Sequence, residues 1–392
     1  MVYVVLFVIL RKYFIYIYAV SFALFAFEIF AQISEEELFE ENSSGYVTHQ
    51  EEHSDFSDNQ AETKVFTPDT RYSEADNELI KSVILGDNDK ARAFLMQGAD
   101  PNIAYNISKD NNTVKDVPLI HFAVAARNQD IAEVLLGTPK IDVNKAGFVT
   151  LENGADKYDA LMTPLAYAVY LNHIDMAKLL LSKGADPNLN GSGLVPAIFF
   201  ASDAEAIKLL KKYKADINVT NSNGDTPLSA SLMRNDGMLT TALMKNGADV
   251  NKKDGRGNTP LYLAVSSGDF NIARFFIDAG ADLNAVSGED KVTPLMAAVS
   301  RSDRDIGFLR YMLFKGADID KRDKNGKYPI FHIDGFSDKD VGRVKETVAL
   351  LLENGADINA QDNNGNSVLH LHGGFYYQLY SSFKPDINIR NK

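Results

Sequence analysis

The chain has 392 residues, 45% of them apolar, a formal net charge of −13 and no cysteine. The apolar share is enough for a large packed core. Disulfides, thiolate metal sites and lipid attachment through cysteine are excluded, and the acidic balance argues against a nucleic-acid partner.

In chain order, residues 1–31 come first. An apolar and aromatic run, Tyr13 to Phe27, follows Arg11-Lys12 and ends at Ile29-Phe30-Ala31-Gln32. A basic start, a short hydrophobic middle and a small residue before a polar stretch read as a signal peptide. Val2 to Leu10 is apolar as well, so Arg11-Lys12 lies inside the hydrophobic stretch. Either the true start lies nearer Arg11, or the two halves make a longer membrane anchor, against which Glu28 argues because a carboxylate in hydrocarbon is costly. Residues 32–75 then carry twelve acidic residues against Lys64 and Arg71, a net of −10. This composition predicts a disordered acidic linker.

From residue 76 to 392 a short motif recurs. It reads Gly98-Ala99-Asp100-Pro101-Asn102, then returns at Gly184 to Asn188, Lys214 to Asn218, Gly247 to Asn251, Gly280 to Asn284, Gly316 to Asp320 and Gly355 to Asn359. Worn copies stand at Ile141 to Asn144 and Pro385 to Asn388, and successive closing residues are 42, 44, 30, 33, 33, 36, 39 and 29 apart. A period near 33 means stacked units. Thr-Pro-Leu follows most turns, at Thr163, Thr226, Thr259 and Thr293, with weaker forms at Val117, Val195, Tyr328 and Ser367. The Thr hydroxyl suits a helix N-cap and Pro suits the first helical position. Small residues follow where neighbouring units must approach: Ala123, Ala168, Ala201, Ala264 and Ala297. A second apolar run, such as Met176-Ala177-Lys178-Leu179-Leu180-Leu181, has the spacing of a helix with one buried face. The next Gly suits a left-handed helix end. The expected fold is all-α, a solenoid of about nine helix-turn-helix units with hairpin loops, including degenerate caps.

This combination, with periodicity, Thr-Pro-Leu, the double Leu and Gly-Ala-Asp-x-Asn in register, resembles the ankyrin-repeat family over about four-fifths of the chain. Departures from the pattern carry their own expectations. Lys214 in place of Gly predicts a strained or reshaped turn. The first unit lacks Thr-Pro and the last lacks a second double-Leu helix, as caps should. Ile103 to Val117 and Lys145 to Met162 are overlong and are expected to project as enlarged hairpins, and Asp334 to Glu346 is expected to be an insertion between two helices. Phe375, Tyr376, Tyr377, Leu379, Tyr380 and Phe383 are expected to pack on the helix around Val348 to Leu352.

Little in the chain suggests catalysis. Gly255-Arg256-Gly257 sits at a hairpin tip without a preceding strand and is no phosphate loop. His121, His332 and His370 occupy a position where the resemblance implies an imidazole bonded to backbone between units. His370 and His372 diverge on a helix, and His49 and His53 lie in the linker, so no metal set is assembled. The expectation is no enzyme, no cofactor and no metal.

The resemblance instead implies protein binding through hairpin tips and the exposed face of the first helix, on the concave side. The candidates are Thr220, Ser222, Asn223, Asp225, Met233 and Arg234; Lys253, Arg256, Asn258, Ser266 and Ser267; Glu289, Asp290, Ser300 and Arg301; and Lys324, Asn325 and Lys327. Their competing reading is ordinary solvated surface. Arg234, Arg256 and Arg301 stand out as anchors, since Arg is favoured at interfaces. The expected function is an exported, non-catalytic binding module in a bacterial envelope or outside the cell, monomeric, with an unknown protein partner. Its alternative is a membrane-anchored structural scaffold that displays the solenoid on the acidic tether.

Overall fold

The computed structural model describes residues 69–109, 112–153, 156–333, 341–371 and 380–391. Residues 1–31, the linker before Asp69, and His49, His53, His372, Phe375, Tyr376, Tyr377 and Leu379 lie outside them. The chain divides into two compact units, one up to Leu189 and one from Asn190.

In the first unit, helices α1 (Glu74–Leu85) and α2 (Asn88–Met96) lead into strands β1 (Ala104–Lys109) and β2 (Asn112–Pro118). Then come α3 (Leu119–Ala125), α4 (Gln129–Leu136), β3 (Gly147–Asn153), β4 (Asp156–Met162), α5 (Pro164–Tyr170) and α6 (Ile174–Ser182). Both overlong spacers are therefore antiparallel hairpins, with Ala104 opposite Pro118 and Phe148 opposite Leu161. The second unit holds a 3-10 turn at Ala197–Phe200 followed by α7 (Ala204–Lys212), α8 (Pro227–Met233), α9 (Gly237–Lys245), α10 (Pro260–Ser267) and α11 (Phe270–Asp278). After these come α12 (Pro294–Ser300), α13 (Ile306–Phe314), a 3-10 turn at Pro329–His332 and α14 (Val341–Glu353). Val341 to Glu346, expected as insertion, is thus the first half of α14, because Val344, Thr347, Val348 and Leu351 give it a buried stripe that extends the helix backwards.

Side-chain caps from Thr start four of the first helices, while α3 forms after Pro118 without one. The hydroxyls of Thr163, Thr226, Thr259 and Thr293 accept from the N–H three residues on, at 3.0–3.2 Å. Each is followed by Pro at the first turn. After Pro196 and Tyr328, which offer no side-chain cap, only four-residue 3-10 turns form. The first of these lies in the interval of 30 residues, where the chain is three short of the common 33. Four second helices start on Asn128, Asp236, Asp269 or Asp305, each of which accepts from an N–H at 3.0–3.1 Å, whereas His173 before α6 makes no such bond.

The interiors are apolar, with Leu79, Leu165, Leu261 and Leu295 at 0% exposure and the five expected alanines buried. Gly98, Gly184, Gly247, Gly280, Gly316 and Gly355 end helices at φ of 89–101°. Lys214 takes the same left-handed role at φ 67°. The following Ala215 N–H still reaches Leu210 O at 3.0 Å, so this turn is strained but not reshaped.

A side-chain ladder joins successive turns inside each unit. In the first, Asn102 Oδ1 accepts from Asp142 N–H at 2.7 Å and Asn144 Oδ1 from Asp186 N–H at 2.9 Å. In the second, Asn218, Asn251, Asn284 and Asn359 accept from Asp249, Asp282, Asp318 and Asp386 at 2.7–2.8 Å. The recurring Asn is therefore a rung: one amide oxygen satisfies a backbone donor of the next repeat.

Candidate functional site

Four hairpin tips of the second unit are built by one acceptor each, while the tip at Glu289 is closed by backbone bonds between Ser287 and Val292. Asn221 Oδ1 takes the N–H groups of Asn223 and Asp225 at 3.0 and 2.9 Å. Asp254 takes those of Arg256 and Asn258, Asp323 those of Asn325 and Lys327, and Asp362 those of Asn364 and Asn366, all at 2.8–2.9 Å. This is the Asx turn, a side chain that replaces water at two backbone donors. Burial pushes the Asp362 carboxyl up, but its bonds to Asn366 and Asn364 outweigh that and hold it below the usual carboxylate range. Asp254, Asp323 and Asp362 are themselves buried. The binding candidates named from the sequence omitted them, although their spacing to Gly257, Gly326 and Gly365 was a legible signal.

Tips also join one another. Gly288 N–H donates to Gly257 O at 3.2 Å, Lys324 N–H to Asp290 O at 3.0 Å and Asn363 N–H to Asn325 O at 3.0 Å. A Cβ on Gly255 would stand 1.7 Å from Asn223 O, so the first two tips touch through backbone. With the backbone satisfied in this way, the side chains between the Asx residue and the glycine point outward.

Where the candidates fall separates exposed from committed groups. Ser222, Asn223, Arg256, Ser266 and Glu289 are exposed, and Met233 is 47% exposed. Thr220 is half-buried, its carbonyl accepting from Asn190 Nδ2 at 2.6 Å, and Asp225 is half-buried against Asn221. Lys253 Nζ donates to Val286 O at 2.7 Å and Asn258 Nδ2 to Asp254 at 3.2 Å. Ser267 and Ser300 turn their hydroxyls back onto helix carbonyls at 3.0 and 2.9 Å. Lys324 pairs with Asp290, a bond that raises the ammonium's pKa. Asn325 is exposed and Lys327 half-buried beside it.

The three arginines differ most from expectation. Arg256 is exposed. Arg234 is exposed but donates from Nη1 to Phe199 O at 3.3 Å. Arg301 is no free anchor: its side chain is 19% exposed and grips Asp303 at 2.7 Å through both Nε and Nη2, holding that carboxyl below its usual range. It also reaches Ser266 O and lies 5.8 Å over the Phe270 ring. A planar five-donor group found more partners inside the stack than outside it.

The histidines are structural where described. His121 Nε2 donates to Met162 O at 3.0 Å from a site 1% exposed, and burial lowers its pKa to about 4. His173, not singled out from the sequence, donates from Nδ1 to Val124 O at 3.0 Å. His332 Nε2 lies 3.3 Å from Asp323, with its pKa lowered by burial against the pull of that carboxylate. His370 Nδ1 receives Ser367 N–H at 3.2 Å at the start of its own helix. Among the described residues no group of His, Asp and Glu is placed to hold a metal ion.

Comparison with known proteins places this geometry. A family model described as ankyrin repeats in three copies matches residues 79–191, 194–287 and 234–323, and one described as ankyrin repeats in many copies matches 342–371. Among solved structures the chain is similar to the ankyrin repeat domain of Bcl-3, a member of the IkappaB protein family, at 22% identity and a TM-score of 0.45 over 57% of this chain and 94% of that one. With capped helix pairs, left-handed glycine ends and Asn rungs in register, and with family models matched over more than half of its length, the chain belongs to the ankyrin-repeat family.

Proposed function

We propose that the chain is a non-catalytic protein-binding module, acting as a monomer, whose contact surface is the row of tips in the second unit together with the exposed ends of α8, α10 and α12. The carrying observation is the division of labour at the tips. Backbone donors are consumed by Asx acceptors and neighbouring tips, while Ser222, Asn223, Arg256 and Glu289 remain exposed. Such side chains are free to vary without cost to the stack, and a rigid scaffold presents them in fixed order. The test is affinity capture with the full chain, followed by the triple variant Asn223→Ala, Arg256→Ala, Glu289→Ala. Its affinity for the captured protein is expected to fall at least tenfold, about 1.4 kcal/mol, with an unchanged melting curve. Undiminished affinity moves the site to the two β-hairpins of the first unit.

The same proposal places the module outside the cytoplasm. Supporting it is the run from Arg11 to Ala31 before the polar linker. The apolar Val2 to Leu10 supports the alternative, a scaffold anchored in the membrane by an uncleaved N-terminus. Mass spectrometry of the mature N-terminus separates them: a start near Gln32 means export, and retention of Met1 or Arg11 means an anchor.

A further inference from the structure

One rung of the ladder in the second unit is missing. Where other turns close with Asn, this one closes with Asp320, and among the described residues Asp357 N–H has no bond to its side chain. A carboxylate lacks the second half of the Asn function as well. Asn251 and Asn284 each donate from Nδ2 to the glycine carbonyl of the next turn, at 3.3 and 3.2 Å, and an ionised Asp has no such donor. The two turns are instead separated by a cleft of about 400 Å³. Among the residues that line it are Ile319, Tyr328 and Ile330, Ala356 and Ala360, and Asp320 and Asp357.

Elsewhere in the chain a lysine lies between turns whose rung is intact. At two other turn boundaries the residue after the rung Asn is lysine, and its ammonium lies back between the turns: Lys145 Nζ donates to Asn102 O and Lys252 Nζ to Asn218 O. At this boundary the corresponding residue is Ala360. The position that a lysine fills elsewhere is open here, and the neighbouring neutral Asn is replaced by a carboxylate, which makes the ammonium position more favourable. Arg322 donates to Gly326 O and Asn363 and lies 5.2 Å over the Tyr328 ring, while Lys321 is exposed next to Asp320. Asp357 keeps one oxygen on Asn359 N–H, as the other turns do, and leaves the second for a ligand.

The geometry points to a lysine pocket: the cleft between the turns at Asp320 and Asp357 receives a lysine side chain of a protein partner, the methylenes on Ile319, Tyr328 and Ile330 and the ammonium on the two carboxylates. This rests on the protein-binding reading above but on a different surface from the tips. The test uses the full chain, isotope-labelled for NMR, titrated with the tripeptide acetyl-Ala-Lys-Ala-amide. Saturable shifts are expected at the amides of Ile319, Asp320, Ala356 and Ala360. The same peptide with acetyl-lysine is expected to bind at least tenfold more weakly. Asp320→Ala is expected to weaken binding similarly. Ala360→Lys, which supplies the chain's own ammonium as Lys252 does, is expected to abolish the shifts and to melt no lower than wild type. Equal binding of the acetylated peptide, or shifts that survive in Ala360→Lys, would overturn the proposal, as would no saturable shift at all. Each of these results leaves the tip variants still able to lose their partner, so the two readings fail separately.

Discussion

His121 shows how one buried side chain sets a pH range. Its ring is 1% exposed, bonded to Met162 O and stacked on Tyr167 with centroids 6.0 Å apart. Burial lowers its pKa to about 4, although the hydrogen bond to the Met162 carbonyl pulls the other way. In the unfolded chain the value is about 6.5. The unfolded state therefore takes up the proton first as pH falls. The stability this residue supplies is complete above about 6.5 and is lost as pH falls from there towards 4. The difference amounts to roughly 3 kcal/mol. Denaturant melts of wild type and His121→Gln, which keeps a donor near Met162 O, are expected to diverge over that window, with the variant the flatter. Parallel pH profiles would show that the imidazole titrates normally. Lys214 makes a related point: the general pattern demanded glycine, yet an L-residue holds φ 67° there because the surrounding bonds over-determine it.

At the level of the element, the contact between the first two tips is set by space at Gly255. Gly255 faces Asn223 O so closely that an added Cβ would stand 1.7 Å from the oxygen, closer than any non-bonded contact permits. Gly255→Ala must therefore part the first two tips of this row. We expect it to cost more than about 1 kcal/mol and to speed amide exchange at Asn223, Asp225, Arg256 and Asn258, whose donors depend on Asn221 and Asp254. Exchange unchanged at those amides would mean that the tips are not packed on one another. The hairpins of the first unit follow another logic. There the inserted residues pair with themselves, Phe148 against Leu161 and Val149 against Ala160, so added length is absorbed without loss of backbone bonds.

For the molecule as a whole, period and caps made the architecture legible. Thr-Pro and a left-handed glycine are local signals, and each produced the helix start or end it implies. What stayed hidden depends on neighbours in space. Nothing in the sequence around Arg301 tells that Asp303 and Ser266 O will occupy it, and the helix at Ala197–Phe200 is cut to one 3-10 turn after a Pro196 that makes no side-chain cap. The Asx acceptors were visible as residues but not as builders, because their role appears only when two backbone donors converge on one oxygen. The candidate site was thus legible as a region, with its exposed and committed members mixed. The same nearest-neighbour logic governs the last repeat. Val368 and Tyr380 are at 0% exposure, Phe383 is half-buried, Asp386 N–H is held by Asn359 and Gln361 Nε2 reaches Arg390 O at 3.1 Å. Ending the chain after Ala360 removes all of these at once. Full burial of such side chains contributes about 1.5–3 kcal/mol each, and the surface they leave is apolar. The truncated protein is expected to melt well below the full chain and to self-associate in sedimentation, because an uncapped repeat exposes the face meant for its neighbour. A truncated chain that stays monomeric with the same melting midpoint would show instead that these aromatic residues do not close the stack.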